Sequence, residues 1–337
     1  MVWVAAARLR TLPLSVAGIV VGNALAIGND AFCPYVFGGT LLTAVVFQIL
    51  SNFANDYGDG LKGTDNHERI GPKRVLQQNL LLAKTLFRGI VSTAVIGFLL
   101  AAGTIAIAFE VGELKSVLAF LALAAVAILA AYKYTAGKGA YGYHALGDVF
   151  VFAFFGLLAV GGSYYLQTKQ LDNTMWWFAI AIGGLSTGVL NLNNMRDMQN
   201  DSAVGKKTVA ALLGLQGAKI YQGILILGCI TALTVGLLHN CNGWVGYIPV
   251  VVVIPLVAQL TSALKIKTHK DFDALLKPLA LTTFGTSMLL LLTQILFALK
   301  PSPRRSVCTR PLRWSHAARS RRNSPASTRT PPARSRT

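Results

Sequence analysis

The sequence predicts an all-α integral membrane protein, with nine transmembrane helices in a single bundle and its polar chemistry gathered at one end. Three observations carry this. Hydrophobic residues make up 53% of the 337, charged residues only 13%, and mean hydropathy is +0.53, with about half the charged share of a soluble domain. The apolar residues fall into nine runs, near 12–28, 34–54, 86–109, 115–132, 146–167, 174–194, 219–238, 243–264 and 278–299, each close to the ~20 residues needed to cross a hydrocarbon core. Placing the N-terminus in the cytoplasm puts 18 Lys and Arg of residues 1–299 on that side, against Lys115 and Lys169 on the other, the positive-inside signature.

The first run follows Arg8 and Arg10, contains Pro13 and lacks a small-residue cleavage pattern, so it reads as a membrane helix and not as a cleaved leader. Those arginines either anchor topology or reach an anionic ligand at the same face. The second run ends in Ser51 to Asp65, where Asn52, Asn55, Asp56, Asp59 and Asp65 gather in a chain with only 13 acids. If the helix continues, Asn52, Asn55, Asp56 and Asp59 share a face, and Gly58, Gly60 and Gly63 then release a loop carrying Lys62 and Asp65. Acid at a helix C-terminus opposes the dipole, and carboxylates gathered there repel one another without a cation.

The connection 65–88 holds Arg69, Lys73 and Arg74, which either close over a phosphate or face anionic lipid, and its Val75 to Leu82 stretch suggests an interfacial helix. After the third and fourth runs come Tyr132, Tyr134, Tyr141 and Tyr143, read as an interfacial aromatic belt, and Asp148, read as a cap on the fifth helix. The sixth run ends in a second cluster, Asn191 to Asp201, in which Asn194, Asp197 and Asp201 share a face, with Arg196, Lys206 and Lys207 close by. Its recurrence at equivalent depth suggests a weak internal repeat that sets helices two and six face to face. The last loop, from Lys265 to Lys277, carries no assigned chemistry. The cysteines, Cys33, Cys229, Cys241 and Cys308, show no metal-thiolate or disulfide spacing.

Residues 1–300 form the membrane domain. Residues 301–337 are a basic Pro/Ser/Arg-rich tail, expected to be disordered or foreign to the native fold. Without its ten arginines the formal charge falls from +18 to +8, so the basic pI implies no nucleic-acid partner.

Two clusters of Asp and Asn offer hard oxygen ligands, which suit Mg²⁺ and not zinc or copper. Mg²⁺ completes its shell with water and substrate phosphates, and the adjacent Arg and Lys would pair with the same phosphates. These parts describe a diphosphate clamp at the cytoplasmic mouth of a bundle set in the lipid bilayer. A diphosphate among lipid-facing helices points to a polyprenyl diphosphate, whose C–O bond ionises once the departing charge is neutralised and water is kept out.

Asn55-Asp56-Tyr57-Gly58-Asp59 with Gly63 and Asp65, followed by Arg69-Ile70-Gly71-Pro72, resembles the first motif of the UbiA superfamily of intramembrane prenyltransferases. Asn191 through Asp201, with Gly205-Lys206-Lys207-Thr208, resembles the second. Within the superfamily the pattern is most similar to the 1,4-dihydroxy-2-naphthoate prenyltransferases of menaquinone synthesis. Arg10 to Ser15, Tyr141 to Tyr143 with Leu146-Gly147-Asp148, and Gly162 to Gln167 share that likeness. The resemblance implies that a prenyl chain replaces the carboxylate of 1,4-dihydroxy-2-naphthoate, releasing CO₂ and diphosphate and giving demethylmenaquinone. It implies that Asn55, Asp56, Asp59, Asp197 and Asp201, with Asp65 as a secondary candidate, hold Mg²⁺ and the diphosphate. Lys62, Lys138, Arg196 and Lys206 are candidates for direct diphosphate contacts. Residues for ring deprotonation or decarboxylation are not identified. The implied location is the inner (cell) membrane, multi-pass, with the active-site loops cytoplasmic. The alternatives are prenylation of 4-hydroxybenzoate, homogentisate or haem, or a cation transporter, which predicts acids at the midplane or on both faces.

Overall fold

The structure, a computed structural model, describes residues 2–67, 69–240 and 243–299. The tail, its proposed boundary, Cys241 and Cys308 lie outside the described residues; Cys33 and Cys229 are free thiols. Among the described residues nine helices are long and apolar enough to cross a membrane. They are α1 (Val2–Gly28), α2 (Pro34–Leu61), α3 (Ala83–Ala108), α4 (Leu114–Lys133), α5 (Gly147–Thr168), α6 (Asn173–Ala203), α7 (Val209–Asn240), α8 (Trp244–Lys265) and α9 (His269–Ala298). Each apolar run forms one helix, but α2 and α6 continue through the acidic stretches to 28 and 31 residues. Their last turns therefore carry the chemistry.

The central helix is α6, which packs against α1, α5, α7 and α9. Phe178, Ile182, Leu185 and Leu192 line its buried length and meet Ile226 and Leu233 of α7, Leu256 of α8 and Leu279 of α9. A helix apolar on all sides belongs inside a bundle, and this one is covered over most of its span. Its contact with α5 is backbone against backbone: a Cβ on Gly156 would lie 2.5 Å from the Ala179 carbonyl oxygen and 2.7 Å from Gly183 Cα. The same stretch of α5, Phe152–Gly162, widens into π-helical geometry. A second apolar cluster, Leu50 and Phe53 with Leu86, Ile90 and Val75, joins α2, α3 and the loop between them.

That loop departs from expectation. Residues 75–82 form successive turns and no helix, because Val75 is buried under α2 and α3 and the chain must fold back to seat it. Asp148 also departs from its expected role. Leu146 occupies the N-cap of α5, so Asp148 lies inside the first turn, where its carboxylate acts on its own backbone N–H.

At the end of the bundle away from the acidic turns, Gln167 ties three elements together. Its amide donates to Asn23 Oδ1 at 2.6 Å and to the Cys33 carbonyl at 3.0 Å, while its oxygen accepts from the Cys33 N–H at 2.8 Å. Gln167→Leu would leave these groups unsatisfied in an apolar setting, at about 1–3 kcal/mol for each buried orphan. The expected result is a lower melting temperature in detergent with unchanged KM for substrates bound at the other end.

Candidate active site

The first acidic turn is built on a strained entry. Arg8 adopts φ 49° in the break between Val2–Ala7 and Leu12–Gly28, a left-handed conformation that costs roughly 1–2 kcal/mol for a residue with a Cβ. Asn52 braces this break: its amide donates to the Ala7 carbonyl at 2.8 Å and to Thr11 Oγ1 at 3.0 Å. The consequence is that the Arg8 guanidinium meets Asp56. One of the two N-terminal arginines thus reaches an anion, and the anion is a carboxylate of the site.

Arg74 is the hub of the first cluster. Its guanidinium lies 2.7 Å from Asp59 Oδ2, 3.2 Å from Asp65 Oδ2 and 3.6 Å from Asp56 Oδ1, and it donates to the Asn55 carbonyl at 2.9 Å. Burial opposes its charge, but Asp59 and Asp65 overcome that and hold it above the ordinary arginine range. Arg69 Nε sits 3.1 Å from Asp65 Oδ1. Burial outweighs these cations at Asp65, whose carboxyl is raised above the usual range.

The second cluster is braced by α9. Arg196 forks onto Asp197 at 2.6 and 2.9 Å and onto Asp273 at 2.6 Å, with Asn193 Oδ1 at 2.8 Å. His269 Nδ1 lies 2.8 Å from the Met195 carbonyl oxygen. The last loop, with no chemistry assigned from sequence, therefore positions the second motif. Lys206 Nζ stands 3.3 Å from Asp201 Oδ2; burial opposes its charge, yet Asp201 and Asp59 keep the ammonium above its ordinary range.

The two clusters meet. Asn200 donates to the Thr64 carbonyl at 3.0 Å, and a Cβ on Gly71 would lie 2.7 Å from Arg196 Nη2 and 3.1 Å from Arg69. Tyr143 closes the junction: its hydroxyl donates to Asp59 Oδ1 at 2.8 Å and accepts from Thr64 Oγ1 at 2.5 Å. Its backbone carbonyl accepts from the Lys207 N–H at 3.2 Å, and Lys207 in turn accepts from the Ala145 N–H at 2.8 Å. Lys62 Nζ lies 4.0 Å above the Tyr143 ring, a cation–π arrangement. The expected aromatic belt thus contains one residue that is part of the site.

Asp56 and Asp59 are 1% and 2% exposed, and Asp65, Asn194, Asp197 and Asp201 are also buried. Asn55, on the same turn, accepts from Thr135 Oγ1 at 3.3 Å. Lys138 stands apart: it is exposed, and among the described residues no ion pair joins it to either cluster. Arg8, Arg74, Tyr143 and Asp273 complete the constellation. Arg74 is signalled by its nearness to the first acidic motif, Arg8 by the membrane face at which it stands and Tyr143 by the likeness of Tyr141 to Tyr143 to the family pattern; nothing local marks Asp273.

The donor set suits a hard divalent cation. Asp56 Oδ1 and both oxygens of Asp65 are buried and accept no hydrogen bond. At these three oxygens charge alone faces the carboxylates, so a cation can take the arginines' place there without loss of a hydrogen bond to them. Among the described residues no three Asp, Glu, His or Cys side chains converge on one point. Mg²⁺ needs no such cage, since one or two carboxylates with substrate phosphates and water fill its shell.

Residues 15–298 match the model of the UbiA prenyltransferase family. A 1,4-dihydroxy-2-naphthoate octaprenyltransferase of Haemophilus influenzae is 41% identical over 262 residues, covering 76% of this chain and 83% of that protein. The protein of the same name from Escherichia coli is 41% identical over 245 residues, covering 72% of this chain and 79% of its own. Among solved structures, a UbiA homologue from Archaeoglobus fulgidus bound to DMAPP and Mg²⁺ superposes with TM-score 0.59 at 12% identity, over 86% of this chain and 99% of that one.

Proposed function

The chain belongs to the UbiA prenyltransferase family, and from that premise we propose that it transfers a polyprenyl group to 1,4-dihydroxy-2-naphthoate with loss of CO₂ and diphosphate, giving the quinol of demethylmenaquinone, which a separate two-electron oxidation converts to the quinone. It is an integral, multi-pass membrane prenyltransferase. The observation that carries the reading is the meeting of two acid-bearing helix ends, each interleaved with cations, at one end of an apolar bundle. A transporter would place its acids along a path through the membrane. The excess of Lys and Arg at the site end supports a cytoplasmic mouth in the inner (cell) membrane.

Asn55, Asp56, Asp59, Asp65, Asp197 and Asp201 would hold Mg²⁺ with the diphosphate. Held there, Mg²⁺ would neutralise the charge that develops on the departing diphosphate. Lys206, Lys62 and Arg196 supply further positive charge to its oxygens, with Lys138 a more distant candidate. Arg74 and Arg8 neutralise the carboxylates in the absence of ligand and give them up as the substrate enters. Tyr143 fixes the orientation of Asp59 through its hydrogen bond. The apolar walls keep water from the allylic cation.

The test is a product assay with dihydroxynaphthoate, a long prenyl diphosphate and Mg²⁺, repeated with chelator. Product is expected only without chelator. Activity on 4-hydroxybenzoate but not on dihydroxynaphthoate overturns the choice of acceptor.

A further inference from the structure

We propose that Asp148 is the general base of this reaction, taking the phenolic proton of the aromatic acceptor. The inference rests on the function proposed above. Asp148 stands in the first turn of α5 and is 5% exposed, and its Oδ1 is buried without a hydrogen-bond partner. The Tyr221 hydroxyl of α7 and the backbone N–H of Asp148 itself act on the same carboxylate. Among the described residues no lysine or arginine pairs with it, unlike the acids of the clamp. A buried carboxylate with only a hydroxyl and its own backbone N–H to favour its charge, and with an oxygen left over, is costly. It is also what a proton acceptor needs.

Its position relative to the clamp fits this role. Asp148 follows Gly147, where a Cβ would lie 3.5 Å from Leu190, and Leu190 precedes Asp197 on α6 by about 10 Å of helix rise. Tyr134 stands between the two: its hydroxyl comes within 3.3 Å of that same Cβ position, and Asp59, Asp148, Asp201 and Lys206 all act on it electrostatically. Burial pushes the Tyr134 phenol up to about 12, so it stays neutral and serves as a hydrogen-bond donor. In this arrangement the acceptor ring would sit beneath the diphosphate, between the bond that breaks and Asp148.

The step balances as follows. The phenolic O–H beside the carboxylated ring carbon gives its proton to Asp148, and the O–H electron pair moves into the ring. That ring carbon bonds to C1 of the prenyl chain as the C1–O bond breaks, and the diphosphate leaves with its electron pair. The product is a β-keto carboxylate. It loses CO₂, and its electrons restore the aromatic ring as an oxyanion. Asp148 returns the proton to that oxygen, so the product leaves as the hydroquinone and no further acid, base or redox partner is needed for this step.

The experiment compares full-length wild type with Asp148→Asn in detergent, using dihydroxynaphthoate and a ring-fluorinated analogue with a more acidic phenol. Binding of geranyl thiodiphosphate with Mg²⁺ is measured in parallel. Asp148→Asn is expected to lose at least about a hundredfold in kcat, to bind the thiodiphosphate like wild type, and to show a smaller defect with the fluorinated acceptor. A purely structural role would not make the defect depend on phenol acidity. Retention of more than about a tenth of the rate, equal defects with both acceptors, or matching loss of thiodiphosphate binding overturns the proposal. If Asp148→Asn does not fold, Tyr221→Phe decides. An about tenfold lower kcat at unchanged KM for the prenyl diphosphate is expected, and an unchanged kcat overturns it. Wild type inactive on dihydroxynaphthoate would instead overturn the acceptor assignment, a distinct result.

Discussion

Asp59→Ala is expected to lower prenyl transfer on the order of a thousandfold while the protein remains folded in detergent. Asp59 is the carboxylate on which both halves of the site converge: Arg74 reaches Oδ2 at 2.7 Å and Tyr143 reaches Oδ1 at 2.8 Å, and Lys206 from the second half acts on it as well. Removing it would take away a proposed ligand of the metal–diphosphate head and the hydrogen-bond acceptor that fixes Tyr143. Asp59→Asn keeps the size and one hydrogen bond but not the charge, and is expected to fail almost as badly. Asp56→Ala and Asp197→Ala are expected to match Asp59→Ala. The check is product formation beside a thermal melt of each purified variant. Near-normal rates in all three would remove the clamp from the mechanism.

Arg74→Ala is expected to produce the largest loss of stability in the ligand-free protein. The guanidinium serves Asp56, Asp59 and Asp65 at once, and its side chain is 10% exposed. Taking one partner from a buried charge network costs about 3–5 kcal/mol, because the remaining charges stay buried without compensation. Added Mg²⁺ with diphosphate is expected to close much of the gap in melting temperature between the variant and wild type, since a divalent cation neutralises the same carboxylates. Arg74→Lys should fall between, as an ammonium cannot fork across three acids. A melting temperature equal to that of wild type, with and without Mg²⁺, would show that the acids do not depend on Arg74.

Much of the site was legible because its acids break a strong local pattern. Asp56, Asp59, Asp197 and Asp201 stand out in apolar runs, and helical spacing puts each set on one face. Their partners do not stand out. Arg8 lies 48 residues from Asp56 in sequence and meets it through a left-handed turn. Asp273 stands in the first turns of α9 among mixed charges, 53% exposed, and reaches the second cluster through Arg196. Asp148 resembles a helix cap in sequence, since acids favour the first turn, and only its buried, unpartnered oxygen sets it apart. Lys138 shows the converse: a lysine beside tyrosines and glycines suggests a phosphate contact, yet it is exposed and forms no ion pair with the clamp among the described residues.

The sequence by itself determined the helical class, the nine spans and the two acidic helix ends, because hydropathy and periodicity are properties of neighbouring residues. Tertiary structure alone decided which cation faces which acid, that Tyr143 bridges the two halves, and that the start of α9 braces the second motif. Those contacts join residues tens to more than a hundred positions apart. They depend on how α6 packs against its neighbours through close backbone approaches such as Gly156 on Gly183. A shift of one helical turn, about 5.4 Å, would separate every pair while leaving the hydropathy pattern unchanged.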